Sequence, residues 1–336
     1  MNKINRFRKV ACWMPTALVL VLPLVRASFA QESAAPQADV QAATHVANQE
    51  KLGEAPENNS QQFLREDTIL LKPGQWKLDV GLSYLIDEKP FTQLATVQPG
   101  DTTTAVNSTL HRRLLVSQFD LRYGFSDRLQ FFADMPVGWT NTEVSSFGSD
   151  NYSNDGGLGD TSFGASYLWH KSCGSSRDPD IIVTAGMTAP TSHGDFLANL
   201  LITPQASLGQ GFWAGYWSVL FVQTYDPVVV FYGFGSRHAF TRELDGFDVQ
   251  AGDQYSYRFG VGFAVNERVT FSSTLFGAYV TEPRINNRIV PGTSMEPVYL
   301  RCAVTLAQCE RICEPFVEFG LTNDSANTRF GIAWTF

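Results

Sequence analysis

From Pro73 to the C-terminus, apolar and polar residues alternate with a period of two, the pattern of strands with one greasy and one polar face. The first strand covers about 74–86, with Trp76, Leu78, Val80, Leu82 and Tyr84 on one face and Lys77, Asp79, Gly81 and Ser83 on the other. Further strands follow at about 112–125, 128–138, 159–170 and 180–189. The next ends near Gln223, with a start as early as Thr203. Others follow at about 228–240 and 254–265, then one running to Val280, then 298–307, 315–321 and 328–336. The stretch at 254–265 alternates most cleanly: Tyr255, Tyr257, Phe259, Val261, Phe263 and Val265 interleave with Ser256, Arg258, Gly260, Gly262 and Ala264. The total is about twelve strands. A missed hairpin would make fourteen and keep the parity even.

The connections alternate in length. Those at 87–111, 139–158, 190–202, 241–253 and 281–297 are long and polar, while 126–127, 224–227 and 266–267 are tight. Bacterial outer-membrane barrels show this asymmetry, with short periplasmic turns and long extracellular loops. Aromatic residues gather near strand ends, at Tyr84, Phe125, Trp169 and Tyr279, as interfacial girdles do. In lipid every backbone N–H and C=O needs an internal partner, so a sheet that crosses a membrane must close on itself. The fold expected is an all-β, antiparallel, up-and-down transmembrane barrel over 67–336. A soluble β-sandwich would alternate too, with its greasy faces turned inward.

The N-terminus changes the setting. Lys3, Arg6, Arg8 and Lys9 precede an apolar stretch from Val10 to Val25, and Ser28-Phe29-Ala30 forms a small-x-small site before Gln31. That order reads as a cleaved signal peptide over 1–30, and hence as bacterial outer-membrane localisation. The stretch is short for a spanning anchor and carries Pro15 and Pro23. Residues 31–66, rich in Ala, Gln, Glu and Asn, read as a flexible periplasmic segment, with a short helix at 41–52. Removing the leader removes five basic residues and no acidic ones. The mature chain then has 20 Lys+Arg (25 less 5) against 33 Asp+Glu, a net charge of -13. Such a surface repels nucleic acid. Cys12 leaves with the leader. Of the remaining four cysteines, Cys309 and Cys313 are spaced for a small disulfide if a turn lies between them.

Several segments, in order, carry a resemblance: Phe63-Leu64-Arg65, Leu71-Lys72-Pro73-Gly74-Gln75-Trp76 leading into the first strand, Gly157-Leu158-Gly159-Asp160, and Glu314-Pro315 through Phe319-Gly320-Leu321-Thr322. Over about 63–336 the chain resembles the outer-membrane porin and transporter family grouped under the phenol meta-degradation label. The resemblance implies a barrel and suggests transport, and supplies no catalytic residues, cofactor or substrate. The terminal Phe336 looks like the signal read by the barrel-assembly machinery.

If the greasy faces meet outer-membrane lipid, the polar faces line the lumen. The expected lining residues are Lys77, Asp79, Gln118, Asp120, Arg122, Gln130, Asp134, Asp160, Arg258, Arg301, Glu318 and Arg329. With both signs present, they make either an ion-pair network filling a narrow barrel or a polar path for small-molecule solutes. The glycines of 156–159 precede no helix pattern and no Lys-Ser/Thr pair, so they are not a phosphate loop. His170-Lys171-Ser172-Cys173-Gly174 resembles the His-x-Ser-x-Gly stretch of the outer-membrane phospholipase. It departs from it in having Cys173 where Asn is expected and no Asn over 175–198. The chain is therefore read as a channel or transporter and not as an enzyme; a barrel with a blocked lumen, acting as a scaffold, is the alternative.

Signal peptidase is expected to cut between Ala30 and Gln31. The intact mass of protein extracted from membranes checks this, and a mature chain still beginning at Met1 would contradict it.

Overall fold

The computed structural model describes residues 70–96, 103–146, 149–173, 178–193, 196, 208–266, 268–308 and 311–336. The expected leader, the segment 31–66 with its helix, and Phe63-Leu64-Arg65 lie outside these residues. The described strands are β1 (Trp76–Thr96), β2 (Thr103–Ser126), β3 (Leu129–Ser146), β4 (Ser149–Leu158), β5 (Thr161–His170), β6 (Asp180–Ala189), β7 (Ala214–Tyr225), β8 (Val228–Ala239), β9 (Arg242–Leu244), β10 (Phe247–Gln250), β11 (Gln254–Asn266), β12 (Val269–Val280), β13 (Arg284–Ile285), β14 (Arg288–Ile289), β15 (Val298–Gln308), β16 (Arg311–Gly320) and β17 (Thr328–Thr335).

Thirteen of them form one antiparallel sheet. Twelve close into a barrel in the order β1, β2, β3, β5, β6, β7, β8, β11, β12, β15, β16, β17, and the last pairs back onto the first from Asp79↔Thr335 to Ile86↔Thr328. The thirteenth, β4, pairs with β3 from Ser146↔Ser149 to Val137↔Leu158 and runs straight into β5. Closure leaves no unpaired edge at membrane depth.

The outer face is the greasy one. Leu78, Leu82, Leu121, Phe131, Met135, Phe163, Phe259, Phe271 and Phe330 are all exposed. Aromatic residues ring the rim with the short turns: Trp76 packs on Tyr123 with ring centroids 4.3 Å apart, Phe125 on Phe131 at 5.8 Å, and Arg311 lies 5.8 Å from the Phe336 ring. Trp139, Trp213, Trp217, Tyr255 and Tyr279 lie toward the other rim. The short-turn rim is periplasmic by the barrel rule.

The long connections contain more pairing than expected. β1 and β2 continue past the closing strand β17 as a hairpin to Thr96↔Thr103, where 87–111 was expected to be a loop. The stretch 139–158 is the β3–β4 hairpin. Together they make a four-stranded sheet rising above the rim. Alternation misses such strands because the face that is buried, with Asp87, Ser108, Thr140 and Thr142, is largely polar, so no greasy side marks them. Their open edges carry Lys89 and Pro90 on β1, and Asp150, Asn151, Asn154 and Asp155 on β4, residues that discourage further strand pairing. The connections 241–253 and 281–297 hold β9, β10, β13 and β14, a small second sheet. β16 begins at Arg311, four residues before the expected 315, and β7 at Ala214.

The register of β11 is tested by substitution. Phe259 is 54% exposed at mid-strand, whereas Arg258 points inward. Phe259→Arg is expected to cost about 2–4 kcal/mol near the midplane and to abolish most heat-modifiable folded barrel on gels, with Arg258→Ala assembling normally. Equal loss for both would contradict the register.

Candidate functional site

The inner face of the barrel is divided by residue type. On the adjacent strands β2, β1, β17, β16 and β15 it is charged. Asp79, 1% exposed, accepts hydrogen bonds from Arg122 on β2 and from the Thr335 hydroxyl on the closing strand. Arg122 Nε also lies 3.7 Å from Asp120. Further round, Arg301 donates to Glu314 at 2.8 Å and lies 3.7 Å from Glu318, which pairs with Arg329 at 3.3 Å. Thr305 donates to the other oxygen of Glu314 at 2.9 Å. Burying a charge without a partner is costly, so these groups persist inside only as a paired belt. Asp79, Asp120 and Asp134 are direct cross-strand neighbours, a like-charge row that by itself is unfavourable; Arg122 offsets the first two.

On β5 to β8, apart from Tyr216 and Arg237 toward the extracellular end, the inner face is small or apolar. Ser162 and Ser166 bond Thr188 and Thr184 at 3.1 and 2.9 Å, and Gly164, Gly186, Gly233 and Gly235 project nothing. Toward the periplasmic end Ile182, Leu220, Val222, Val229 and Phe231 form a buried interior cluster, and Leu70 and Leu168 pack against it. The segment before β1 therefore enters the periplasmic mouth. Leu71 N donates to Gln130 Oε1 at 3.0 Å, and a Cβ on Gly124 would stand 2.3 Å from the Lys72 carbonyl oxygen, so only glycine lets the segment pass.

Between the charged and small walls lies a lumenal cavity of about 530 Å³. Asp79, Gln118, Asp120, Arg258, Arg301, Glu318 and Arg329 all line it. Aromatic rings share the wall: Phe276 stacks on Tyr299 at 5.1 Å, and the Arg301 guanidinium sits 4.2 Å above Phe316.

Seven of the twelve expected lining residues thus reach one cavity. Lys77, Arg122, Gln130 and Asp134 sit on the inner face outside its wall. Asp160 has a different task, accepting hydrogen bonds from an inward-folded segment. Glu314 is absent from the expected lining because the expected strand begins at 315, whereas β16 begins at Arg311. Phe276, Tyr299 and Phe316 are absent from the expected lining because only polar residues are counted there, although alternation puts Tyr299 in phase with Arg301 and Phe316 in phase with Glu318.

The cysteine pairing is corrected in part. Cys313 is a free thiol on β16, opposite Leu306, and Cys309 lies outside the described residues. The β15–β16 hairpin closes between Gln308 and Arg311, so Cys313 stands within a strand and not within a turn. His170 at the periplasmic end of β5 bonds Asp178 at 2.9 Å. The Cys173 amide and His170 hold the Asp178 carboxyl below its ordinary range. These are hydrogen bonds among polar groups at a strand end.

Residues 86–305 match the protein family described as "Putative MetA-pathway of phenol degradation". An outer membrane channel of Pseudomonas putida F1 superposes with a TM-score of 0.61 at 12% identity, covering 80% of this chain and 97% of that one. The CymD monoaromatic hydrocarbon channel gives 0.40 at 10% identity, covering 83% and 90%. The Pseudomonas putida toluene transporter TodX gives 0.38 at 9% identity, covering 78% and 89%. The fold is that of an outer-membrane β-barrel.

The buried belt has a measurable signature. Asp79→Ala leaves Arg122 with only its 3.7 Å contact to Asp120 and is expected to destabilise the barrel by about 3–5 kcal/mol, while Asp79→Ala with Arg122→Met recovers part of that loss, because Asp120 beside Asp134 then lacks the compensation of Arg122. Urea unfolding midpoints of the detergent-folded proteins check the pair. A double variant no more stable than Asp79→Ala would show that the stranded charge is not the cause.

Proposed function

The chain belongs to the family so described, and we propose that it is a passive channel or transporter of the bacterial outer membrane for small molecules. The observation that carries this reading is the cavity of about 530 Å³ enclosed by the barrel wall. It is in the size range of small-molecule sites. Its wall combines the stacked rings of Phe276 and Tyr299 with the polar ends of Gln118, Arg258 and Arg329. Such a wall suits a compact solute with an aromatic body and a polar group, and the family's description points the same way. The expected solutes are therefore small aromatic molecules with at least one hydrogen-bonding group.

A second reading is favoured by a specific observation. Leu70 packs on the buried interior cluster at the periplasmic end, as a filled, structural barrel would have it. Ion conduction discriminates between the two. Assembly through the terminal Phe336, which sits exposed on the outer face and exchanges backbone hydrogen bonds with Leu78, is part of either reading.

If the cavity is on the permeation path, its charges set the field felt by ions in transit. Arg258→Gln with Arg301→Gln removes two positive charges and leaves Glu314 and Glu318 with less compensation. Reversal potential under a KCl gradient is expected to shift toward cation selectivity, with folding verified by heat-modifiability. A folded wild-type protein without conductance would favour the filled barrel. Conductance with an unchanged reversal potential would keep the channel and remove these two arginines from its path.

A further inference from the structure

We propose that Asp160 is the positioning residue of an extracellular constriction, which it forms by holding the chain at 208–211 across the inner wall of the barrel. This rests on the channel reading and adds to it the element that narrows the path.

Asp160 lies on the inner face at the top of β5, in phase with Ser162 and Ser166. Its Oδ1 accepts from the Ser192 amide at 3.2 Å and the Ser192 hydroxyl at 2.7 Å. Its Oδ2 accepts from the amides of Gln210 at 2.7 Å and Gly211 at 3.0 Å. One carboxylate thus ties together the two ends of the connection between β6 and β7. Two arginines complete the clamp. Arg237, on the inner face of β8, donates to Gln210 Oε1 at 2.7 Å, and Arg242 on β9 donates to the Gly211 carbonyl at 2.6 Å. Phe212 follows at once and is fully buried beneath Val249 and Ala251.

The placement shows that the segment enters the lumen. The Leu208 side chain reaches the inner face of β3 at Gly138, while Gln210 reaches β8. β5, β6 and β7 stand between those two strands, so the side-chain contacts of this short segment, whose backbone lies against Gly159 and Asp160, reach from β3 to β8. The approach is close enough to require glycine: a Cβ on Gly209 would lie 2.5 Å from the Asp160 carboxyl carbon, and one on Gly159 would lie 2.9 Å from the Leu208 carbonyl oxygen.

The bond pattern also requires the charge. Hydrogen bonds to an ionised carboxylate are about twice as strong as neutral ones. Asn offers one carbonyl oxygen, and its NH₂ would face two amide donors. Asp160→Asn should therefore release the segment while leaving the strand pairing of β5 in place.

The test uses the full-length mature protein, wild type and Asp160→Asn, with the folded barrel verified by heat-modifiability. Hydrogen exchange read by mass spectrometry over 208–213 is expected to be roughly tenfold faster in the variant, and single-channel conductance about twofold higher or more. If Asp160→Asn does not fold, Arg242→Gln, which removes the clamp on Gly211, takes its place with the same two readouts. Unchanged exchange in a folded variant overturns the clamp. Faster exchange with unchanged conductance in a conducting protein overturns the constriction. If neither wild type nor a released variant conducts, the channel reading falls, and this inference falls with it.

Discussion

Everything in this molecule depends on the obligation of backbone amides and carbonyls to find partners where lipid supplies none. That obligation is met only when β17 returns to β1, because an open sheet would leave two rows of unpaired groups at membrane depth. Asp79 sits at that seam. Its carboxylate, drawn to Arg122 on one side and to Thr335 on the other, joins the first, second and last strands of the barrel by side chains where the backbone has already joined them. The acidic group is tolerated inside because it is paired, and the pairing is possible because closure brings Thr335 to it.

Closure also separates the two faces, and each then obeys its own solvent. Outside, size and hydrophobicity are all that lipid asks, so Phe259, Phe263 and Phe271 are interchangeable in kind. Inside, volume and charge must both balance. The belt on β15, β16, β17, β1 and β2 brings bulky ion pairs, and where the lumen stays hollow the facing wall has the small residues Ser218 and Gly233. Near the periplasmic end the same strands turn apolar and take up Leu70. Whether a given level of the barrel is filled or hollow thus depends on how far the small wall recedes from the charged one.

Much of the fold was legible because lipid exposure writes itself as period-two alternation. The strand at 254–265 was read nearly to its observed bounds, and the even parity held. The strands above the rim were not legible, because the residues that 139–158 buries include Thr140 and Thr142, whose polarity hides the alternation that marks a strand, though its backbone is fully paired. In the lumen, the inward direction of Asp79, Arg258 and Arg301 follows from the same alternation. Their partners do not: that Arg301 meets Glu314 depends on β16 starting at Arg311, and strand ends are set by hairpin geometry rather than by hydrophobicity. The inner rings follow the same phase: Tyr299 stands two residues before Arg301 and Phe316 two before Glu318. A lining restricted to polar side chains leaves out the aromatic wall that these rings and Phe276 form inside the barrel.

Asp160 shows how a single acidic letter can be placed correctly and still be misread. Alternation puts it on the inner face, where it stands. It cannot show that a chain segment some fifty residues further on returns to cover it, since Gln210 and Gly211 reach it through backbone amides that every sequence possesses. The only written trace is the spacing of small residues, Gly159 beside the aspartate and Gly209 beside its partner amides, each too close to its neighbour for a side chain. A lumenal carboxylate flanked by glycine, with another glycine in the following long connection, is therefore better read as an anchor for an inward-folding loop than as a free charge on a pore wall.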